Sequence, residues 1–334
     1  MILAIETSCD DTCAALVTHD GEILANVISS QEAHSRFGGV VPEVAARAHI
    51  ELIEPVIAEA FARAQARPAD VSLVAATRGP GLVGALLVGF SAAKAFAAAR
   101  ELPFAPVDHL AGHIAAAYLG PEPFEPPFLA LIASGGHTLL LAVHDRTGEP
   151  EVLARTLDDA AGEAFDKGAR MLGLGYPGGP ALERLAAGGE PLAHDFPTGR
   201  GEDFSFAGLK TALLYRTREL DMDDNRVRAD LAASYQRAIV AALTRRVERG
   251  IERTGLRRLA LGGGVAANGA LRERLTALAA SDGRQGAVEL FLPPLALCTD
   301  NAAMIAAAAR ESPSLRYPEY LELDVYATGE GRLR

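Results

Sequence analysis

The chain has few cysteines, no long apolar run and none of the common phosphate-loop signatures. Cys9, Cys13 and Cys298 are odd in number and form no C-x-x-C pair, which fits free, buried thiols in a reducing cytosol rather than a disulfide framework. No window reaches eighteen uninterrupted apolar residues, and no opening segment joins a basic start, an apolar run and a small-residue cleavage site. Membrane spanning and secretion are therefore not expected, and a cytoplasmic protein is. Basic residues are outnumbered, leaving a net charge of −11. That excludes a surface basic all round, but not a local patch or a basic partner that meets nucleic acid. The candidate patches, 244–258 and 224–231, also carry acidic residues and read as solvated helix faces.

What is present is organised. A length of 334 residues and 49% hydrophobic content suit two domains with sizeable cores. The 33 glycines and abundant alanine point to tight helix–sheet packing. The opening "MILAIETSCDDTCAALV" reads as a strand, a polar turn and a second strand. "FLALIASGGHTLLLAVH" (128–144) repeats that grammar about 127 residues later. Alanine-rich helical segments follow each hairpin, at 45–66 and 84–100, then at 160–188 and 228–253. Two copies of one plan predict a duplicated α/β fold of two lobes with a central cleft. "RRLALGGGVAANGALRERL" (257–275) reads as a buried strand, a triple-glycine turn and a helix entered near Ala267–Asn268. Such a turn lets backbone approach an anionic ligand. It departs from G-x-G-x-x-G, and no G-x-x-x-x-G-K-[ST] occurs.

In "HLAGHIAAAY" (109–118) the imidazoles of His109 and His113 stand four apart. On a helix they leave one face about 5–6 Å from each other, close enough to share an ion. A zincin would need glutamate after the first histidine as its general base, and Leu110 stands there. An ion needs a third ligand, for which Asp300 in "PPLALCTDNAAMIAAAA" (293–309) is the best candidate. A carboxylate where a loop enters an alanine-rich helix is equally an ordinary N-cap. Two histidines and a carboxylate with open positions suit Fe(II) or Zn(II) as a Lewis acid.

The motifs "IETSCDDT" (5–12), "RGPGLVGAL" (78–86), "DHLAGH" (108–113), "SGGHT" (134–138), "GEAFDKGARMLGLGYPGGP" (162–180), "FSFAGLKT" (204–211), "LGGGVAAN" (261–268) and "CTDNAAMIA" (298–306) run in order over almost the whole chain. Together they closely resemble the bacterial tRNA N6-adenosine threonylcarbamoyltransferase family, once called a glycoprotein endopeptidase. The resemblance implies the duplicated actin-like ATPase (ASKHA) fold. It implies transfer of a threonylcarbamoyl group from threonylcarbamoyl-AMP to N6 of the adenosine 3′-adjacent to the anticodon, in tRNAs reading codons that begin with A. It further implies one divalent metal ion per chain, a catalytically silent paralogous subunit and a small P-loop ATPase subunit. Carried over by motif, the metal ligands are His109, His113 and Asp300. The substrate contacts are Ala133, Ser134, Gly135, Gly136, His137, Asp166, Gly179 and Asn268.

The family's first loop usually reads C-D-E-T, and here it is "CDDT". Asp11, one methylene shorter than glutamate, is then the candidate to take a proton from the attacking amine, with Asp10 as the alternative. The lobes are expected at 1–105, to which 310–334 could return, and at 106–309, carrying the metal and substrate site. Two rival functions follow from the same residues: an ATPase or kinase of this superfamily, and a non-catalytic scaffold. The paired histidines argue against the first, since such enzymes hold Mg²⁺ with carboxylates and phosphates. The intact histidine pair and Asp300 argue against the second.

Overall fold

Apolar stretches at Ile2–Glu6 (β1) and Asp11–Val17 (β2) flank a bend of small and acidic residues, and the two pair antiparallel with Ile2 opposite Val17. Strand β3 (Ile23–Ser30) extends the meander. On its other edge β1 pairs in parallel with β4 (Leu73–Gly79), and β4 with β5 (Phe104–Asp108), giving the order β3-β2-β1-β4-β5. Every residue of β1 is buried, as a central strand covered on both faces requires. Helices α1 (Pro42–Ala64) and α2 (Val83–Ala98) pack on each other, α1 against β2 and β3, and α2 against β4 and β1. Helix α3 (His109–Ala115) follows β5 directly and packs against α9 (Ala302–Glu311), which touches all five strands. The alanines of α9, including Ala302, Ala303 and Ala306 to Ala309, are buried and let the helix lie close.

The computed structural model describes residues 1–199, 201–280 and 287–327. Among the described residues, Met1–Glu125, Asp145–Thr147 and 300–327 form one compact unit, and Pro126–His144 with Gly148–Thr299 form another. The boundary expected at 105 thus falls after Glu125, and the returning segment begins at Asp300 rather than at 310. The physical reason is that α3 and α9 pack on each other and α9 on the first sheet. His109, His113 and Asp300 consequently belong to the first unit, not the second.

The second unit repeats the strand plan. β6 (Phe128–Ala133) and β7 (Thr138–Val143) form the expected hairpin, β8 (Glu151–Arg155) extends it, and β9 (Arg258–Gly262) and β10 (Glu289–Phe291) add in parallel on the other edge. The order β8-β7-β6-β9-β10 matches that of the first sheet strand for strand. Among the described residues five helices accompany it: α4 (Ala161–Met171), α5 (Gly178–Ala186), α6 (Ala207–Glu219), α7 (Asn225–Thr254) and α8 (Gly269–Ala280). The helical pattern at 160–188 is therefore two helices. Gly173, at φ 71°, stops α4, and Leu174 N–H closes back on the Ala169 carbonyl at 2.9 Å. Tyr235 on α7 is wholly buried, and its hydroxyl donates to the Ala164 carbonyl at 3.0 Å, tying α7 to α4.

The arginines of 244–258 are only partly a solvated face. Arg246 is 3% exposed and donates to the carbonyls of Gly199 and Asp203. Arg245 and Arg249 donate to those of Thr198 and Gly201. This basic stretch fastens a loop of its own unit. Cys13 and Cys298 are buried and Cys9 half-buried, all three free. No helix among the described residues is long and apolar enough to cross a membrane.

Gly89 of α2 allows the helix to press onto β1: its N–H donates to Thr7 Oγ1 at 3.2 Å, and a Cβ there would stand 2.3 Å from that oxygen. Thr7 is itself held by donating to the Ala85 carbonyl. Alanine would gain up to about 1 kcal/mol of helix propensity and lose about 1–3 kcal/mol to overpacking. Gly89→Ala is therefore expected to lower the denaturation midpoint; an unchanged or raised midpoint would contradict the close approach.

Candidate functional site

Strand β5 ends at Asp108 and α3 begins at His109, so the first imidazole stands at the very start of a helix and the second one turn later. Asp108 is the N-cap: Oδ1 accepts from the N–H groups of Leu110 and Ala111 at 2.9 and 3.1 Å. The rings lie 4.7 Å apart between centroids, nearly perpendicular, and both are buried. Asp300 reaches them from the start of the returning segment: its Oδ1 is 3.5 Å from His109 Nε2 and 3.3 Å from His113 Nε2. The N-cap alternative for Asp300 does not hold, because Asn301 takes that role, accepting from Met304 N–H at 3.0 Å. The Asp300 carboxylate is left facing the imidazoles.

One residue that the sequence reading passed over as part of a polar turn controls this cluster. Glu6, at the end of β1, is wholly buried. It accepts from Ser8 N–H, from Thr77 Oγ1 at 2.5 Å and from His109 Nδ1 at 3.0 Å. A carboxylate on Nδ1 fixes a proton on that nitrogen, so that when the ring gives up its second proton the lone pair falls on Nε2, on the side of Asp300. The available signal was an acid closing an otherwise apolar buried strand.

The cluster fits a divalent ion. One ligand atom from each of His109, His113 and Asp300 lies within 4.8 Å of the others. Both ring nitrogens of His113 are buried without a hydrogen-bond partner among the described residues, although Nε2 is close to Asp300. A buried imidazole with neither nitrogen satisfied is costly unless something else engages it. Two imidazoles and one carboxylate are a donor set for first-row transition metals.

Charge concentrates here. Burial alone would lower the pKa of His109, but the Asp300 and Glu6 carboxylates overcome it and hold the ring at about 9, against an ordinary 6.5. Asp11, at the start of β2, is raised from 3.8 to about 7. Burial is the main cause; a hydrogen bond with Ser30 opposes it, and the charges of Asp300, Asp10 and Glu6 add to it. Asp10 lies in the bend between β1 and β2, where its carbonyl accepts from Gln31 N–H.

The other predicted residues lie in the second unit, linked by a run of contacts. Ala133 ends β6 and Ser134 to His137 form the hairpin turn, with Ser134 N–H donating to the His137 carbonyl at 2.8 Å. Gly135 and Gly136 are exposed, with nothing within 4 Å of where a Cβ would stand. Gly162 N–H, at the start of α4, donates to the Ser134 carbonyl, and a side chain at Gly162 would strike that turn. Asp166 spends Oδ1 on the N–H groups of Gly178 and Gly179, capping α5. Asn268 caps α8 through Leu271 N–H and donates Nδ2–H to Gln236 Oε1. Glu183 of α5 accepts from Gly269 N–H, closing the set. Asp166, Gly179 and Asn268 are thus engaged in holding helix starts, while Gly135 and Gly136 stand exposed at the tip of the 134–137 turn.

A family model described as tRNA N6-adenosine threonylcarbamoyltransferase (TsaD) matches residues 22–307. This chain belongs to that family. Relatives bearing the same name include one from Anaeromyxobacter dehalogenans, 51% identical over 92% of both chains, and one from Pelobacter propionicus, 48% identical over 99% of both. Among solved structures, component A of the Acidaminococcus fermentans (R)-2-hydroxyglutaryl-CoA dehydratase superposes with a TM-score of 0.54 at 18% identity, covering 93% of this chain and 96% of that one. The HypF protein of T. kodakarensis reaches 0.60 at 16% identity, over 92% of this chain and 46% of its own. These likenesses show the fold alone: the duplicated α/β plan read from the paired hairpins, in the actin-like ATPase form that the resemblance implies.

Because the ion-free ring of His109 carries its proton up to about pH 9, an ion entering the family's cluster has to displace it. At pH 7, titration with a divalent ion in buffers of different ionisation enthalpy should release about one proton per ion, and apparent affinity should climb about tenfold per pH unit before levelling near pH 9. Affinity independent of pH over this range would contradict the coupling.

Proposed function

We propose that this chain transfers the threonylcarbamoyl group of threonylcarbamoyl-AMP to the N6 amine of the adenosine 3′-adjacent to the anticodon, in tRNAs reading codons that begin with A. The reading is carried by the convergence of His109, His113 and Asp300 in a chain of this family. In the reaction a bond forms between N6 and the carbamoyl carbon, the bond from that carbon to the phosphate oxygen breaks, and AMP departs. An adenine amine is a poor nucleophile, so holding the reactants in line and stabilising the leaving phosphate matter most.

One divalent ion per chain, Fe(II) or Zn(II), held by His109, His113 and Asp300, would supply Lewis acidity to oxygens of the donor. The protein's own residues do the rest. Glu6 keeps His109 in the tautomer that presents Nε2. Asp11 takes the proton lost by N6; with a pKa of about 7 it is poised between accepting and releasing a proton near neutrality. Asp10 is the alternative acceptor. In the second unit the Ser134–Gly135–Gly136 turn, entered from Ala133 and closed by His137, offers the backbone N–H groups of its exposed glycines to phosphate or carbonyl oxygen. Asp166 with Gly179, and Asn268, fix the starts of α5 and α8 as adenylate-facing elements.

The partners in this reading are tRNA, threonylcarbamoyl-AMP, a catalytically silent paralogous subunit and a small P-loop ATPase, all in the cytoplasm. A net charge of −11 leaves tRNA phosphate contacts to local patches and to partners. The deciding experiment mixes the chain, donor and unmodified tRNA, with and without partners, and weighs the nucleosides. Appearance of threonylcarbamoyladenosine is expected; its absence alongside steady ATP turnover without tRNA would favour the ATPase reading.

Three variants probe the roles. His109→Ala and His113→Ala should each reduce transfer to background while leaving the circular dichroism spectrum near that of the parent; full activity in both removes the ion from the mechanism. Asp11→Asn should lower kcat by about 10²–10⁴-fold and abolish the acidic limb of the rate profile near pH 7, since only the ionised carboxylate accepts a proton. An unchanged limb would assign it to another group.

A further inference from the structure

After the short helical turn Glu319–Glu322 the chain runs along the ends of β4 and β5. Tyr326 N–H donates to the Arg78 carbonyl at 3.1 Å. Its hydroxyl lies 2.8 Å from the Gly79 carbonyl oxygen and 2.5 Å from Asp108 Oδ2. Asp108 is the N-cap of α3, and its other oxygen, Oδ1, accepts from Leu110 and Ala111. One carboxylate therefore joins the tyrosine to the first turn of the helix that carries both imidazoles.

The seat for this tyrosine is built. Arg78 donates to the Asp324 carbonyl at 2.7 Å and places its guanidinium 5.9 Å from the Tyr326 ring centroid. Lys94 donates to the carbonyls of Leu321 and Leu323. At Gly79, with φ 153°, a Cβ would stand 2.4 Å from the Tyr326 carbonyl oxygen and 2.7 Å from its ring. The absence of a side chain at residue 79 makes room for the ring.

We propose that Tyr326 is a positioning residue for the ion cluster: by holding Asp108 Oδ2 it sets the angle at which α3 leaves β5, and with it the approach of His109 and His113 to Asp300. Its hydroxyl meets the Gly79 carbonyl and Asp108, one residue before the first imidazole. A hydrogen bond to a carboxylate is directional and among the stronger kinds, and Asp108 is covalently adjacent to His109, so a small swing of the cap moves the ring directly. The inference rests on the reading that the cluster binds a divalent ion.

The test uses Co(II), whose visible spectrum reports ligand geometry, added to ion-free full-length protein. Tyr326→Phe removes the hydroxyl and keeps the ring. Its Co(II) affinity should fall roughly 10- to 100-fold, the usual effect of losing a partner one step removed from the ligands, with an altered spectrum and little change in the melting midpoint of the ion-free protein. Lys94→Ala loosens the same segment without touching Asp108, and should leave the Co(II) spectrum as in the parent. Parental affinity and spectrum in Tyr326→Phe would overturn the proposal. Equal loss in both variants would also overturn it, because the segment would then act only as an anchor. Failure of the parent protein to take up Co(II) would instead overturn the ion reading itself, and this inference with it.

Discussion

A carboxylate with no access to solvent holds the first unit's chemistry in place. Burying Glu6 would cost several kcal/mol were its charge left uncompensated. Three donors meet it from three places: the bend after β1, the strand β4 and the first residue of α3. The strand that carries Glu6 is the central one, buried along its whole length, so its end is among the least movable points of the sheet. Orientation of His109 is thereby inherited from the sheet and not from a loop. His113 has no such tether, and its orientation comes from the helix turn and the packing of α3 on α9.

The two units share a strand order but not a chemistry. In the first, the bend between the hairpin strands holds acids, and the parallel edge strand delivers imidazoles. In the second, the corresponding bend holds exposed glycines, and the parallel strand β9 runs into a glycine turn. Gly263, at φ 86°, stands so close to β6 that a Cβ would lie 2.4 Å from the Ala133 carbonyl oxygen. A duplicated scaffold thus carries a cluster of imidazoles and carboxylates in one copy and exposed glycines in the other. Acidic and amide caps recur through both, at Asp108, Asp166, Asp224, Asn268 and Asn301, each fixing where a helix begins.

Much of this was legible in the chain itself. Alternating and continuous apolar runs announced both hairpins, because strand burial writes directly into composition. The four-residue spacing of His109 and His113 announced one helical face. Asp300 was readable as a partner, though not distinguishable from a cap; the neighbouring Asn301 settles that by taking the cap, which depends on backbone angles that composition does not encode. Glu6 was missed because its importance lies in contacts with Thr77 and His109, both distant in sequence. The unit boundary was misplaced for a related reason: α3 reads as a new beginning after β5, and only its packing on α9 shows where it belongs. Arg246 looked solvated because a guanidinium reaching loop carbonyls has the same local sequence as one reaching water.

The discontinuity of the first unit also orders events in time. Both histidines are made early, but their carboxylate partner arrives only after the whole second unit has been threaded through. At a synthesis rate of about 5–20 residues per second, the roughly 190 residues between His113 and Asp300 occupy the ribosome for on the order of 10–40 s. Throughout that interval the nascent first sheet lacks α9, the helix that touches all five of its strands. Until its final tenth emerges, a newborn chain must therefore keep an apolar sheet face without its covering helix, and His109 and His113 without the carboxylate that faces them both.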